Sequence, residues 1–383
     1  MSWRCLIWAQ SLLGSGHLRR AMLLADALAA EGMEVVLANG GLPGPWPATA
    51  GVSIVQLPTL ISRDSTFSGL VDRAGQAPDE GLWAERRRIL RELVESGPHA
   101  LVTEMFPFGR RAFRAELFPL LERCRVRAPR PVVAVSVRDI LVTKPDPARY
   151  GWMVEACREH FDRVLVHGDE RLMPFAASFP AATELGDQVV HTGFIHVGHD
   201  AGVGAEAPAV VVSAGGGAVG ERLLRAALDA RPRSRFARDP WLLVGGHNLA
   251  ADRLAMLRRA LPPGCSMVGH HPGLADLMGR SEVSVSQAGY NTVVEGLAGG
   301  ARMVLVPFAA GVEDEQEQRA HRLVALGLAE RVGEAEVDGA ALAAAIDRIA
   351  SRPRPDPGRW SFDGAARAAR LLKGWVLERF GDA

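Results

Sequence analysis

Lysine is nearly missing from this sequence: Lys144 and Lys373 stand beside 42 arginines. Basic and acidic residues balance at 44 each, so composition gives no support to a nucleic-acid partner, which would want a basic surplus. Genome composition accounts for the arginine excess, although a planar guanidinium also suits diphosphate ligands. Cysteine is scarce as well. Cys5, Cys124, Cys157 and Cys265 are scattered without pairing or metal-ligand spacing, which argues against a zinc site and fits core thiols in a reducing compartment. No apolar run approaches the roughly 20 residues of a membrane span, and the first residues lack the basic, apolar and small-residue zones of a signal peptide. The expectation is a cytoplasmic protein with at most peripheral membrane contact.

What is present is length and apolar content. A chain of 383 residues that is 48% hydrophobic is enough for two cores. Short apolar strands alternate with amphipathic helices: 4–9, 34–38, 53–57, 100–103, 132–136 and 163–166, then 209–213, 241–244, 266–268, 283–286 and 303–306. Their continuous apolar character predicts parallel strands covered on both faces. The pattern breaks in the glycine-rich stretch His196 to Pro208, the best linker candidate, and again in RPRPDPG, Arg352 to Gly358. The fold class expected is α/β, with two tandem doubly wound Rossmann-like domains at 1–195 and 208–352 and a C-terminal helix at 361–381. Ligands of such sheets bind at the carboxyl ends of the strands.

Each half opens with a glycine loop between strand and helix. The first, GSGHLRR, runs from Gly14 to Arg20, and the second, AGGGAVG, satisfies G-x-G-x-x-G at Gly215, Gly217 and Gly220. A dinucleotide site also wants an acid about 20 residues on, at the end of the next strand. Those strands end instead in Ala38 and Asn39, and in Gly245 and Gly246, so NAD or FAD is not expected. Backbone amides at a helix N-terminus still make an anion seat, although tight turns take glycine for steric reasons alone. The histidine in the first loop, His17, has no place in a dinucleotide loop.

The stretch from Ser286 onward carries more. The strand 283–286 ends in Ser-Gln-Ala-Gly, a helix begins near Tyr290 with Glu295 on its second turn, and after Pro307 the run Glu313, Asp314 and Glu315 opens a helix bearing Gln316. Both loops should emerge at one sheet edge. Helix-dipole complementation is the alternative reading of the three acids.

The run from Ser286 to Glu295, VPF at Val306 to Phe308 and DEQ at Asp314 to Gln316 resemble the donor-sugar signature of GT-B glycosyltransferases. They are most similar to the family 28-like group containing the UDP-N-acetylglucosamine transferase of peptidoglycan precursor synthesis. GSGH resembles that group's first glycine loop. The segments Val102 to Phe113 and Val135 to Leu141 are unmatched and look like features of a separate branch. The resemblance implies two domains facing each other across a cleft, and a metal-independent, inverting hexosyltransferase with a UDP-sugar donor as substrate and no cofactor. The acceptor, an unknown glycan, lipid-linked or small-molecule hydroxyl, would lie on the first domain.

Position by position, the resemblance has the backbone of Gly215, Gly216, Gly217 and Ala218 cradling the diphosphate and Glu295 holding the ribose diol. Glu315 and Gln316 would hold sugar hydroxyls. Ala288, Gly289, Tyr290, Asn291 and Thr292 would line the donor site, and His270 and His271 would flank the base, a surface turn before Pro272 being their structural alternative. Gly14, Ser15 and Gly16 would form the acceptor-side loop. His17, at a helix N-terminus that disfavours its protonated form, would be the base. Glu104 and Asp139, each following a first-domain strand, are rival bases or ion-pair partners of Arg110 or Arg138, and His17 itself could merely cap its helix. GSGHLRR also resembles the UDP-sugar hydrolases of pseudaminic acid synthesis, the alternative function. A non-catalytic nucleotide-sugar sensor is a third.

Overall fold

A computed structural model describes residues 2–13, 16–44, 49–64, 68–142, 146, 148–196, 198, 206–215, 220–246, 249–308 and 314–381. The chain forms two compact units, Met1–Ile195 with Asp363–Ala383, and His196–Phe362.

Unit one holds seven parallel strands: β1 (Arg4–Ala9), β2 (Glu34–Asn39), β3 (Val52–Gln56), β4 (Ala100–Glu104), β5 (Val132–Arg138), β6 (Arg163–His167) and β7 (Val189–His191). Their spatial order is β3-β2-β1-β4-β5-β6-β7, with Cys5 beside both Val35 and Ala100. Side chains alternate faces along a strand, and β1 shows both faces buried. Cys5, Ile7 and Ala9 pack against helices α1 (Gly16–Ala30) and α11 (Gly364–Phe380). Leu6 and Trp8 point to the opposite core, built with α2 (Glu80–Glu95), α3 (Arg114–Arg125) and α4 (Ala148–His160). Helix α1 forms because Leu18, Ala21, Met22, Ala25 and Leu28, all buried, recur at three- and four-residue spacing.

Behind the carboxyl edge, Arg86 is fully buried. Its Nε and Nη2 donate to the two Glu116 oxygens at 2.6 and 2.7 Å, and Nη1 donates to the Pro58 carbonyl at 2.6 Å. Nη2 also reaches Gln10 Oε1 at 3.0 Å. One guanidinium thus ties the segments that follow β1 and β3. A buried charge this well satisfied fixes geometry.

Unit two repeats the plan with β8 (Val210–Ser213), β9 (Trp241–Val244), β10 (Cys265–Val268), β11 (Val283–Ser286), β12 (Met303–Leu305) and β13 (Ala329–Arg331), in the order β10-β9-β8-β11-β12-β13. Its helices are α5 (Glu221–Ala230), α6 (Ala251–Arg259), α7 (Leu274–Arg280), α8 (Tyr290–Ala298), α9 (Glu315–Ala325) and α10 (Gly339–Ala350). Each sheet therefore reverses its winding once, between β1 and β4 and between β8 and β11, and ligand sites of such sheets open there.

Candidate functional site

In unit one the site begins where β1 gives way to α1. Ser11 Oγ accepts the Leu18 N–H at 3.1 Å, satisfying one of the orphan donors of the first turn. That cap orients the turn carrying His17, whose side chain is 16% exposed. Nδ1 of His17 lies 2.7 Å from Oε1 of Glu104, the buried last residue of β4, so the pair bridges the switch point. Arg20, one turn further along α1, ion-pairs with the same oxygen. Arg20 Nη2 lies 3.3 Å from Nδ1 because both donors converge on it. A nitrogen facing an ionised carboxylate carries the proton, which leaves the lone pair on Nε2. Arg138, at the end of β5, places Nη2 3.5 Å from Nε2.

The charges follow. Burial, and then the guanidiniums of Arg110 and Arg138, push His17 down to about 3 against the opposing pull of Glu104. Burial alone would raise Glu104, but His17 and Arg20 hold its carboxyl well below the usual range. The dyad is thus a neutral imidazole on a carboxylate. Glu104, expected either as a rival base or as an ion-pair partner of a nearby arginine, lies against His17 Nδ1 and pairs with Arg20. Asp139 is buried, accepts the N–H of Ile140 at 2.9 Å, and backs onto Gly168, where a Cβ would lie 2.9 Å from its own.

A second imidazole lies behind the pair. His167, at the end of β6, is fully buried, with Nε2 2.7 Å from Ser136 Oγ and Nδ1 2.8 Å from Thr192 Oγ1. Burial, reinforced by Arg20, lowers it to about 3. The turn after Glu104 is strained. Met105 and Arg110 hold φ of 67° and 59°, a region costing non-glycine residues on the order of 1–3 kcal/mol each. Arg110 spans back to donate from Nε to the Gln10 carbonyl at 2.8 Å.

In unit two, Gly215 ends the first strand's turn at φ 68°, and a Cβ there would meet Gln287 Oε1 at 2.9 Å. Gly220 begins α5 against Ala214, whose Cβ would stand 2.1 Å from an added one. The loop after β11 and the start of α9 come together. Arg319, 1% exposed, donates from Nη1 to the Ala288 carbonyl at 2.8 Å and lies over the Tyr290 ring at 5.9 Å. Gln316 Oε1 accepts the Phe308 N–H at 3.1 Å. Ala288, Tyr290 and Glu315 are buried, Gly289, Thr292, Glu295 and Gln316 half-buried, and Asn291 exposed. His271 Nδ1 accepts the Gly273 N–H at 3.1 Å in the turn into α7, and His270 is exposed. Gly14, Ser15, Gly216, Gly217, Ala218 and Glu313 lie outside the described residues, and Gly16 is the first residue of α1. Among the described residues, three metal-capable side chains come together, Glu122, Glu159 and His160, none of which belongs to this site.

Sequence reasoning passed over Arg20, the Ser136–His167–Thr192 chain, and Arg319. Arg20 had a signal, since residues three apart on a helix share a face and His17 and Arg20 are so spaced. The histidine chain depends on strand register, and Arg319 on the packing of α9 against the loop after β11.

Residues 243–357 match the model of the glycosyltransferase family 28 C-terminal domain. No curated protein matches the sequence. Among solved structures, the calicheamicin glycosyltransferase CalG4 is similar over 100% of this chain and 96% of its own, at 18% identity and a TM-score of 0.62. A UDP-glucosyltransferase from Polygonum tinctorium capable of glucosylating indoxyl reaches 0.64 at 15% identity, over 100% and 99%. UGT2 of Phytolacca americana, complexed with UDP-2-fluoro-glucose and pterostilbene, reaches 0.60 at 14% identity, over 98% and 95%. The fold is GT-B.

Proposed function

We propose that this chain, a GT-B glycosyltransferase whose C-terminal unit matches the family 28 domain, moves a sugar from UDP to an acceptor hydroxyl with inversion and without a metal. The observation that carries the chemistry is the 2.7 Å contact from His17 Nδ1 to Glu104. It fixes the tautomer that leaves Nε2 to take the acceptor proton. The acceptor oxygen then bonds to the anomeric carbon as the bond from that carbon to the diphosphate breaks, and the electron pair leaves with UDP. Glu104 stabilises the imidazolium that forms, without taking its proton.

The donor belongs on unit two. Glu295 would accept hydrogen bonds from the ribose diol, Glu315 and Gln316 those of the sugar hydroxyls, and the loop from Gly215 to Ala218, with the N-terminus of α5, would seat the diphosphate. Two structural neighbours, one complexed with UDP-2-fluoro-glucose and pterostilbene and one with UDP, favour UDP as the nucleotide. Two measurements test this reading. UDP should bind in excess EDTA, and loss of binding on chelation would overturn the metal-free mechanism. His17→Ala should leave UDP affinity nearly intact while lowering turnover by about 10² to 10⁴; an undiminished rate removes His17 from the mechanism. Rapid UDP release from the parent without acceptor would instead make the chain a hydrolase.

A further inference from the structure

His160 closes α4 at the amino end of β6, on the sheet edge opposite His17. Its side chain is 5% exposed, and Nδ1 has no hydrogen-bond partner. A buried ring nitrogen left in that state is costly. The Phe118 ring packs against the imidazole with centroids 5.4 Å apart, and two carboxylates face the ring nitrogens. Glu122 of α3 places Oε1 3.6 Å from Nδ1, and Glu159 places Oε2 3.7 Å from Nε2. Both distances are too long for hydrogen bonds. The first is close to the ~3.4 Å that separates two ligands sharing a tetrahedral ion, given metal–ligand bonds of about 2.0–2.1 Å. Among the described residues, Glu122, Glu159 and His160 are the one group of three metal-capable side chains, with ligand atoms all within 4.8 Å of one another.

The surroundings suit a cation. Arg125 donates from Nε to Oε2 of Glu122 at 3.0 Å, with Nη2 at 2.9 Å from the same oxygen. That grip leaves Oε1 for the ring side, as outer-shell donors do for ligating carboxylates. The end of α4 adds the negative end of its helix dipole. Burial lowers His160 against the opposing pull of the two glutamates, which keeps a lone pair on the ring. We infer that Glu122, Glu159 and His160 bind one divalent transition ion of the zinc class, with His160 Nδ1 as the buried ligand, one oxygen from each glutamate, and water completing the shell. A mixed imidazole and carboxylate set suits zinc, whereas magnesium and calcium take oxygen ligands. The ion joins the ends of α3 and α4 at the edge of the sheet away from His17, so it takes no part in sugar transfer.

The test uses the full chain, stripped with EDTA, dialysed and titrated with Zn²⁺ by calorimetry, with Co²⁺ as a visible-absorption probe. One Zn²⁺ per chain should bind saturably and displace the Co²⁺ bands, and Mg²⁺ at the same concentration should do neither. His160→Gln should weaken Zn²⁺ by about ten-fold or more, since even outer-shell partners are worth about that much. Glu159→Gln, at a side chain 57% exposed, should weaken it by a smaller factor and serves if His160→Gln does not fold. His321→Gln removes an exposed histidine–glutamate pair on α9 and should leave binding unchanged. Absence of stoichiometric Zn²⁺ binding, an equal response to Mg²⁺, loss of binding in His321→Gln, or an affinity unchanged in both His160→Gln and Glu159→Gln overturns the inference.

Discussion

At Glu104 an imidazole and a guanidinium share one carboxylate oxygen, and substitution can separate the two partnerships. Glu104→Gln keeps an acceptor for His17 but leaves Arg20 charged and buried; breaking a buried ion pair in this way costs about 3–5 kcal/mol. Adding Arg20→Met should restore most of that stability, as measured by denaturant unfolding, while turnover stays about 10² or more below the parent. Recovery of both together would reduce Glu104 to a structural anchor. The lowered His17 makes a pH prediction whose sign is fixed. A depressed value means that the basic form persists into acid, so kcat/KM, which reports the free enzyme, should show no loss of the base near pH 6.5 and remain flat on that account down to about pH 5. An acid limb at 6.5 would place His17 in water. On the donor side, Glu295→Ala should weaken UDP by about 1.5–3 kcal/mol, the range for hydrogen bonds to a charged group, and the penalty for 2′-deoxy-UDP should vanish in the variant when both are measured by calorimetry.

Among elements, the loops after β8 and β11 carry the donor proposal, and Gly215 and Gly220 in the first of them are sterically constrained. Gly220→Ala sets a methyl against Ala214, so α5 must shift; overpacking of this kind costs about 1–3 kcal/mol, readable in thermal unfolding, and UDP affinity should fall with it. Elements of this sort were legible in the sequence because a buried parallel strand writes itself as four or more consecutive apolar residues, as in AVVV at 209–212 and WLLV at 241–244. The strands β7 and β13 were not legible. Each is three residues long and includes a polar residue, His191 or Glu330, so neither shows a period. Site residues divide the same way. His17 and Glu295 stand inside recognisable motifs. The union of His17 with Glu104, 87 positions apart, depends on β1 lying beside β4, and the reach of Arg138 depends on β5 being next. Sheet order is a tertiary fact, which is why the sequence left Glu104 as either a rival base or an arginine's ion-pair partner and did not show its contact with His17.

For the molecule as a whole, acid should act through unit one. His17 and His167 are both pushed down to about 3, chiefly by burial, against about 6.5 in an unfolded chain. Below pH 6.5 the unfolded state therefore binds more protons, so stability falls as pH falls through the window from 6.5 to 3, by up to about 1.4 kcal/mol per pH unit for each imidazole. Unfolding near pH 5 should accordingly take up protons at these two positions, and His167→Gln should flatten the slope. Helix α11 belongs to the same unit, packing Ala368, Ala369, Leu372 and Val376 into the core with α1. Removing residues 363–383 should lower the melting transition of unit one while leaving that of unit two in place; a single unchanged transition would contradict the division into units.

The chain leaves unit one at Ile195 and re-enters it at Asp363, and these two residues form an antiparallel bridge. This has a consequence on the ribosome. Unit two is contiguous and can fold as it emerges, but unit one, although its sheet is synthesised first, must wait for α11 to cover the apolar face of α1. At 5–20 residues per second the intervening segment takes roughly ten to thirty seconds to make. While that segment is being made, unit one stands with one side of its sheet incompletely clothed, a nascent client for chaperones until α11 arrives.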